Sequence, residues 1–365
     1  MTESKRLVVL VQETIDDFLS AHEVTAGEIG AELSPYIEYS RALLAGGKRF
    51  RALFCYQGWE AVTQSADSRQ AELDCIVRVA AALEIFHAAA LVHDDIIDSS
   101  DVRRGMPAAH RRFEQLHRTS GWDGDASAFG RSSAILLGDL LLGWSDELLD
   151  DGLSRLENRD AARAARREFN RMRTEVTFGQ YLDILEEHSW RSRDEADVLD
   201  RASRIIVYKS AKYSVEAPLV IGALIGNGSL DQVEHLRDFG LPLGIAFQLR
   251  DDLLGVFGDP EQTGKPSGDD LREGKRTVLV AIARRKLPGT SSRLLDELLG
   301  DPELNSEQIR TLQSSIRQSG AVDDVERIIA TNTEIAHSAL QDVDISDSAQ
   351  SQLLRLAESV TRRTV

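Results

Sequence analysis

The sequence predicts an all-α protein. No proline occurs between Pro107 and Pro218, and Ala, Leu, Glu and Arg abound across that span, which is the composition of long helices. Apolar residues recur three and four positions apart in segments such as 134–149 and 205–225, the helical period. Gly/Ser/Asp clusters mark loops at 117–130, 226–230, 258–270 and 287–292. Residues 294–365 read as polar amphipathic helices of an outer layer. A length of 365 residues alone suggests two domains. The motifs of one apparent site, however, run from Gly46 to Lys275. A single large helical domain over residues 1–365 is therefore expected, with roughly a dozen helices around a central cavity between two aspartate-rich helices.

Those two helices carry the chemistry. The first reads LVHDDIIDSSDVRRG, with Asp94, Asp95 and Asp98 followed by Arg103 and Arg104; the second reads FQLRDDLLGVFGD, with Asp251, Asp252 and then Asp259. Residues four apart share a helix face, so Asp94 and Asp98 point the same way. Like charges this close repel unless a cation compensates them. Carboxylate-only ligands suit a hard ion such as magnesium, which keeps several waters and shares substrate phosphates. The implied site is a diphosphate held by magnesium.

Charge narrows the class further. The chain has 43 basic and 60 acidic residues, a net charge of −17, which argues against generic nucleic-acid binding. An anionic substrate must then be drawn by local charge. One such cluster is GGKRFR at 46–51, where paired glycines allow close backbone approach beside Lys48, Arg49 and Arg51. Cys55 and Cys75 make no disulfide framework and read as reduced core thiols of a cytoplasmic protein. The N-terminal apolar run is too short for a signal peptide. The apolar run at 217–225 is too short to span a bilayer, so no membrane span is expected.

In order along the chain stand GGKRFR, LEIFHAAALVHDDIID, RRG at 103–105, GQYLD at 179–183, YKSAKY at 208–213, FQLRDD and EGKRT. Over residues 43–279 this combination resembles the trans-isoprenyl diphosphate synthases, an all-α family of the isoprenoid synthase type. The resemblance implies a homodimer, and isopentenyl diphosphate and an allylic diphosphate (dimethylallyl, geranyl or farnesyl) as substrates. It implies three Mg2+ ions: Asp94 and Asp98 as ligands of two, with Asp95 supporting, and Asp251 holding a third, helped by Asp252 and, through water, by Asp269. Arg103, Lys209 and Lys265 would grip the allylic diphosphate; Lys48, Arg51, His87 and Arg104 would grip isopentenyl diphosphate. Ser210, Gln180 and Gln248 would line the allylic tail, and Lys275 the mouth of the phosphate site. Without the family, His87 reads as a core histidine and Lys209 as part of a solvated helix face. Gly255 departs from the pattern, standing where the family most often has a third aspartate; Asp259 is the expected partial substitute.

Product length follows from the helix below Asp94. The wall residues are Ala90, Ala89 and then Phe86. Shorter-chain relatives often carry an aromatic residue at one of the first two positions, so two alanines leave the tunnel open past fifteen carbons. Phe86 lies ~12 Å down the axis, roughly 80° from the direction of Asp94, and is the expected floor. Geranylgeranyl diphosphate is the expected product, with farnesyl or longer diphosphates as the alternatives. A class I terpene cyclase would need Asn, Ser/Thr and Glu in the second motif. A non-catalytic partner subunit of a heteromeric synthase would lose acids from the first motif, and all three are kept. A P-loop fails because Pro266 follows Lys265 where Ser or Thr is required.

Overall fold

In the computed structural model, residues 3–63, 65–259, 267–341 and 343–361 are described. Helices dominate them, as predicted, with one short hairpin. Contacts group the chain into two compact units, each built from two stretches: Met1–Arg166 with Pro218–Gly228, and Arg167–Ala217 with Ser229–Val365. The first unit carries GGKRFR and the first acidic motif. The second carries GQYLD, YKSAKY, the second acidic motif and EGKRT.

The first unit comprises α1 (Glu3–Ile29), α2 (Ser34–Leu44), α3 (Phe50–Val62) and α4 (Ala66–Ile97), then a hairpin of β1 (Val102–Arg103) and β2 (Met106–Pro107), then α5 (Ala109–Ser120) and α6 (Ala126–Ser154). The loop expected over 117–130 shrinks to a few residues, because Asp125 caps α6 by accepting hydrogen bonds from the N–H groups of Ser127 and Ala128. α4 is the central helix and packs against α1, α3, α5 and α6. Its Asp67–Ile97 stretch is long and apolar enough to cross a membrane, unlike the run at 217–225, but 78% of its most apolar window is buried inside the protein. It is a core helix. On α6 the residues facing α4 are small at seven-residue intervals: Gly138, Ser145 and Gly152. Seven residues make almost two turns, so the three share a face. Ser145 Oγ donates to the Ala82 carbonyl at 2.8 Å, and a Cβ at position 138 would fall 2.3 Å from His93 Nε2.

α7 (Arg159–Ser189) leads into the second unit. There α8 (Val198–Ile205) runs into a π-helical stretch, Ile206–Glu216; the following α9 (Ala217–Ile225) belongs from Pro218 on to the first unit. α10 (Leu230–Phe257) opens with a capping box: Ser229 accepts from the Gln232 N–H, and the Gln232 side chain accepts from the Ser229 N–H. α11 (Asp269–Glu273), α12 (Val278–Lys286), α13 (Gly289–Leu298), α14 (Ser306–Gln318), α15 (Ala321–Ala339) and α16 (Asp347–Thr361) complete the unit. The C-terminal segment is more than an outer layer. α15 places Ala321, Val325 and Ile329 in the same core cluster as Leu249, Leu253 and Val256 of α10. Arg250 also clasps Glu326 through hydrogen bonds of 2.6 and 2.7 Å.

The π-helical stretch shapes its neighbours. Its i→i+5 bonding makes it fatter than an α-helix, so what packs on it must lack side chains. A Cβ at Gly179 of α7 would sit 2.3 Å from the Lys209 amide nitrogen, and one at Gly244 of α10 would sit 2.5 Å from the Ala211 carbonyl oxygen. Glycine on both neighbours lets the YKSAKY segment lie directly against backbone.

Candidate active site

The basic turn between α2 and α3 is built around a buried ion pair. Gly46, Gly47 and Arg49 take positive φ values of 66°, 88° and 52°, reversing the chain. Arg49 is buried, with Nη1 3.3 Å from Glu84 Oε2 and Nη2 donating to Gln12 Oε1 at 2.6 Å and to the Leu44 carbonyl. Glu84 Oε1 accepts the Ala52 N–H at 3.1 Å. One carboxylate of α4 therefore offsets Arg49 and caps the first turn of α3. Sequence reading missed Glu84 and counted Arg49 with the diphosphate-directed charge of the turn, whereas Arg49 is turned inward; an acid inside the apolar LEIFHAAALV run was the available signal. Lys48 is exposed and Arg51 half-buried on either side of this anchor.

The first acidic motif lies at the end of α4. Asp98 is the C-cap, its N–H donating to the Asp94 carbonyl at 2.8 Å. Asp95 is buried, 1% exposed, and accepts two hydrogen bonds from Arg103, one of 2.9 Å from Nε and one from Nη2. The same Nη2 lies 3.7 Å from Asp94 Oδ2. Asp95 thus positions Arg103, while Asp94 and Asp98 remain half-buried at the helix end. The RRG run forms a hairpin that the all-α reading did not include. Arg104 (φ 53°) and Gly105 (φ 73°) are its central residues, and two positive φ values match the right-handed twist of paired strands. Arg104 Nη1 donates to the Leu43 carbonyl at 3.2 Å.

These turns gather positive charge in the first unit. Burial pushes His87 well below the usual imidazole range, reinforced by Arg51, Arg104, Arg103 and Arg49. The Arg104 guanidinium is also pushed down, first by burial and then by Arg49, with Glu84 opposing. His87 is half-buried among four arginines rather than an ordinary core histidine. On the same helix Phe86 and Ala89 are buried and Ala90 half-buried.

In the second unit two polar lines meet YKSAKY. Lys209 Nζ binds Asp183 Oδ2 of GQYLD, so Lys209 is anchored rather than loosely solvated. Ser210 Oγ donates to Gln248 Oε1, and Gln248 Nε2 donates to Asp252 Oδ1 at 2.8 Å. Gln248, Asp252 and Gly255 lie one helical turn apart along α10, beside the apolar stripe of Leu249, Leu253 and Val256. Asp251 is exposed; Asp252 is 5% exposed, and its buried Oδ2 accepts no hydrogen bond. Burial pushes the Asp252 carboxyl up to about 8, the Gln248 hydrogen bond opposing and Asp270 and Asp251 adding repulsion. Gln180 is half-buried with a buried, unbonded Nε2. Lys275 Nζ is 2.6 Å from Glu273 Oε2 and 3.8 Å from Asp270 Oδ1.

Asp270 presses against Gly255 and acts on Asp252; Asp269 is half-buried at the first position of α11. Asp259 is exposed beyond the end of α10, because Gly258 breaks the helical register that would have stacked it over Gly255. Lys265 lies outside the described residues. Among the described residues no three Asp, Glu, His or Cys side chains form a closed metal cage. The donor set suits a hard cation taking few protein ligands and completing its shell with water and phosphate, and the orphaned Asp252 Oδ2 is an acceptor for one.

An all-α scaffold with DDxxD at a helix end, a basic Gly-Gly turn and an anchored YKSAKY segment defines the class: a prenyl-transferring enzyme acting on diphosphates. The profile of the polyprenyl synthetase family matches residues 34–316. The geranylfarnesyl diphosphate synthase of Aeropyrum pernix is 31% identical over 349 residues, 95% of this chain and 97% of that one. The geranylgeranyl diphosphate synthase of Saccharolobus solfataricus is 30% identical, over 87% of each chain. A crystal structure of geranylgeranyl pyrophosphate synthase from Corynebacterium glutamicum, complexed with isoprenyl diphosphate and magnesium, superposes with a TM-score of 0.92 at 40% identity over 100% of both chains. The chain belongs to the polyprenyl synthetase family, the trans-isoprenyl diphosphate synthases.

Proposed function

We propose that the protein condenses isopentenyl diphosphate head-to-tail with an allylic diphosphate and releases geranylgeranyl diphosphate. The observation that carries the chemistry is the hydrogen-bonded line from Ser210 through Gln248 to Asp252, which ties a tail-lining hydroxyl to an acidic motif. Arg103, held by Asp95, and Lys209, held by Asp183, grip the allylic diphosphate together with Lys265. Lys48, Arg51, Arg104 and neutral His87 grip isopentenyl diphosphate. Asp94, Asp98, Asp251 and Asp252 would hold magnesium, helped through water by Asp269, with three ions in all. Bound magnesium neutralises the charge that gathers on the departing diphosphate. As the allylic carbon–oxygen bond breaks, the oxygen dipoles of Ser210 and Gln248 steady the cation. The isopentenyl double bond then attacks it, and the released diphosphate takes the proton. Fixed donors of this kind contribute about 3 kcal/mol each.

Support for a twenty-carbon product comes from Ala89 and Ala90 below Asp94, from buried Phe86 further down α4, and from the Corynebacterium enzyme. A twenty-five-carbon product is the second reading, favoured by the near full-length match to the Aeropyrum synthase. Incubation with magnesium, isopentenyl diphosphate and each allylic starter separates them by the chain length of the dephosphorylated alcohol. Geranylgeraniol, lost in Asp94→Ala, supports the first reading; geranylfarnesol supports the second; no condensation with any starter overturns both. We further propose a homodimer that covers the exposed apolar side chains Ile135, Leu136 and Leu140 of α6.

A further inference from the structure

The second unit has a cavity of about 370 Å3 whose lining contains no residue of the acidic or basic motifs. The lining comes from two 3-10 turns, Trp190–Ser192 and Glu195–Asp197, from the first residue of α8, and from α12 and α13. It includes Trp190 with Arg191, Arg193, Arg284 and Arg293, four arginines in a chain whose net charge is −17. Three guanidinium carbons surround the Trp190 indole, at 3.7 Å (Arg276), 5.2 Å (Arg191) and 5.4 Å (Arg284) from the ring centroid, within reach of cation–π attraction. Arg276 is the buried member: its side chain is 9% exposed and its Nε has no hydrogen bond. Burial pushes this guanidinium down to about 10, with Asp296 opposing and Arg284 and Arg191 adding repulsion. The Asp296 carboxylate is shared between Arg276 at 3.4 Å and Arg284 at 2.9 Å. Like charges gathered this closely are steadied by an anion placed among them. Two of the arginines keep donors for one. Arg191 donates a single hydrogen bond among the described residues, of 3.5 Å, to the Asp296 carbonyl. Arg293 and Glu297 stand four residues apart on α13, so on one face; both are exposed, and neither has a hydrogen bond or ion pair among the described residues.

We propose that this cavity binds a phosphate monoester carrying a flat, amine-bearing ring, the chemistry of a nucleoside monophosphate. Arg191 and Arg293 take the phosphate, whose oxygens match the guanidinium fork. The ring lies against Trp190, and Glu297 accepts a hydrogen bond from its amine. The volume falls at the lower end of the range for small-molecule sites. Among the described residues, Trp190 and Val198 are the apolar side chains of the lining, too little surface for a prenyl tail. The Glu297 carboxylate repels a plain polyanion and so selects a ligand with donors as well as charge. The site does not depend on the proposed condensation.

Titration of the full chain with adenosine 5′-monophosphate tests the site, with calorimetry giving affinity and tryptophan fluorescence giving location. The chain holds four tryptophans, so Trp190→Phe assigns the signal. Saturable binding with a fluorescence change is expected for the wild type, and no fluorescence change for Trp190→Phe. Arg191→Ala and Arg293→Ala should each weaken binding about tenfold or more, the loss of a charge-assisted hydrogen bond. Arg293 is exposed and unpaired among the described residues, so Arg293→Ala should melt within about 1 °C of the wild type, and its weaker binding is then no consequence of unfolding. Adenosine and inorganic phosphate should each bind at least about tenfold more weakly than the monophosphate, because each lacks one half of the contacts. No saturable binding of adenosine 5′-monophosphate overturns the proposal. So does a fluorescence change that persists in Trp190→Phe, or wild-type affinity in both arginine variants. Adenosine bound as tightly as the monophosphate overturns the phosphate contacts, and phosphate bound as tightly overturns the ring contacts; either result sinks the ligand class.

Discussion

Burial decides what single side chains do here. His87 is kept neutral by desolvation and by Arg51, Arg104, Arg103 and Arg49, which leaves it able to donate and accept hydrogen bonds to a substrate. The same shift makes stability depend on pH. In the unfolded chain this imidazole takes up a proton near pH 6.5, whereas in the folded protein it does so only at much lower pH. Between those values the unfolded state binds more protons, so the His87 contribution is present above about pH 6.5 and is lost as pH falls through it. Urea midpoints of the ligand-free protein at pH 7.5 and 5.5 should therefore differ more for the wild type than for His87→Gln. The two thiols behave analogously: burial pushes Cys75 up to about 12 and Cys55 higher still. Both should resist a disulfide reagent in the native protein and react once it is unfolded in urea, since the thiolate is the reactive species; fast native labelling of either would contradict their placement. Of the site residues, the aspartates were legible because four-residue spacing on a helix needs no tertiary knowledge. Glu84 was not, because its value comes from Arg49 and the Ala52 N–H, which are distant in sequence.

At the scale of elements, the informative features are places where backbones meet. Gly179 lets α7 approach the π-helical stretch at Lys209, and Asp183, one turn further along α7, holds the Lys209 ammonium. Gly179→Ala should cost about 1–3 kcal/mol through overpacking. It should also depress kcat more than an equally destabilising change far from Lys209, because Lys209 and Ser210 both shift with the stretch. Thermal unfolding and steady-state kinetics on the same preparation separate the two effects. The Arg49–Glu84 pair gives a purely structural counterpart: Glu84→Ala leaves a buried guanidinium without its carboxylate and should cost about 3–5 kcal/mol, read as a fall in the denaturation midpoint. Helix positions in the sequence were legible from period and caps, as at Ser229–Gln232. The π-helical stretch was not, since its apolar pattern resembles an ordinary helix and the glycines that accommodate it, Gly179 and Gly244, stand on other elements. The Arg104-Gly105 hairpin escaped for a related reason, because two-residue strands are too short for any alternation to register.

At the scale of the whole molecule, a net charge of −17 coexists with a basic cluster of Arg49, Arg51, Arg103 and Arg104, assembled from two turns 50 or so residues apart in sequence. The sequence order of motifs was enough to anticipate the family; the division into two contact units, each drawn from two stretches of chain, was not, because helical period says nothing about which helices return to a common core. Product length is the property that depends most on the assembled whole. The proposal places its limit at Phe86, buried in α4 two turns below Asp94, with small residues at 89 and 90 leaving the path to it open. Growth stops when the tail meets a side chain that close packing will not let move. Phe86→Ala removes that ring and should shift the alcohol profile beyond twenty carbons with little change in the rate of the first condensation, since no reacting group is touched. Ala90→Phe adds a ring nearer the acidic motif and should shift the profile to fifteen carbons or fewer. The two changes must move the product in opposite directions if α4 is the wall of the tunnel. An unaltered profile in Phe86→Ala, alongside shortening in Ala90→Phe, would keep the wall and place the floor on another helix.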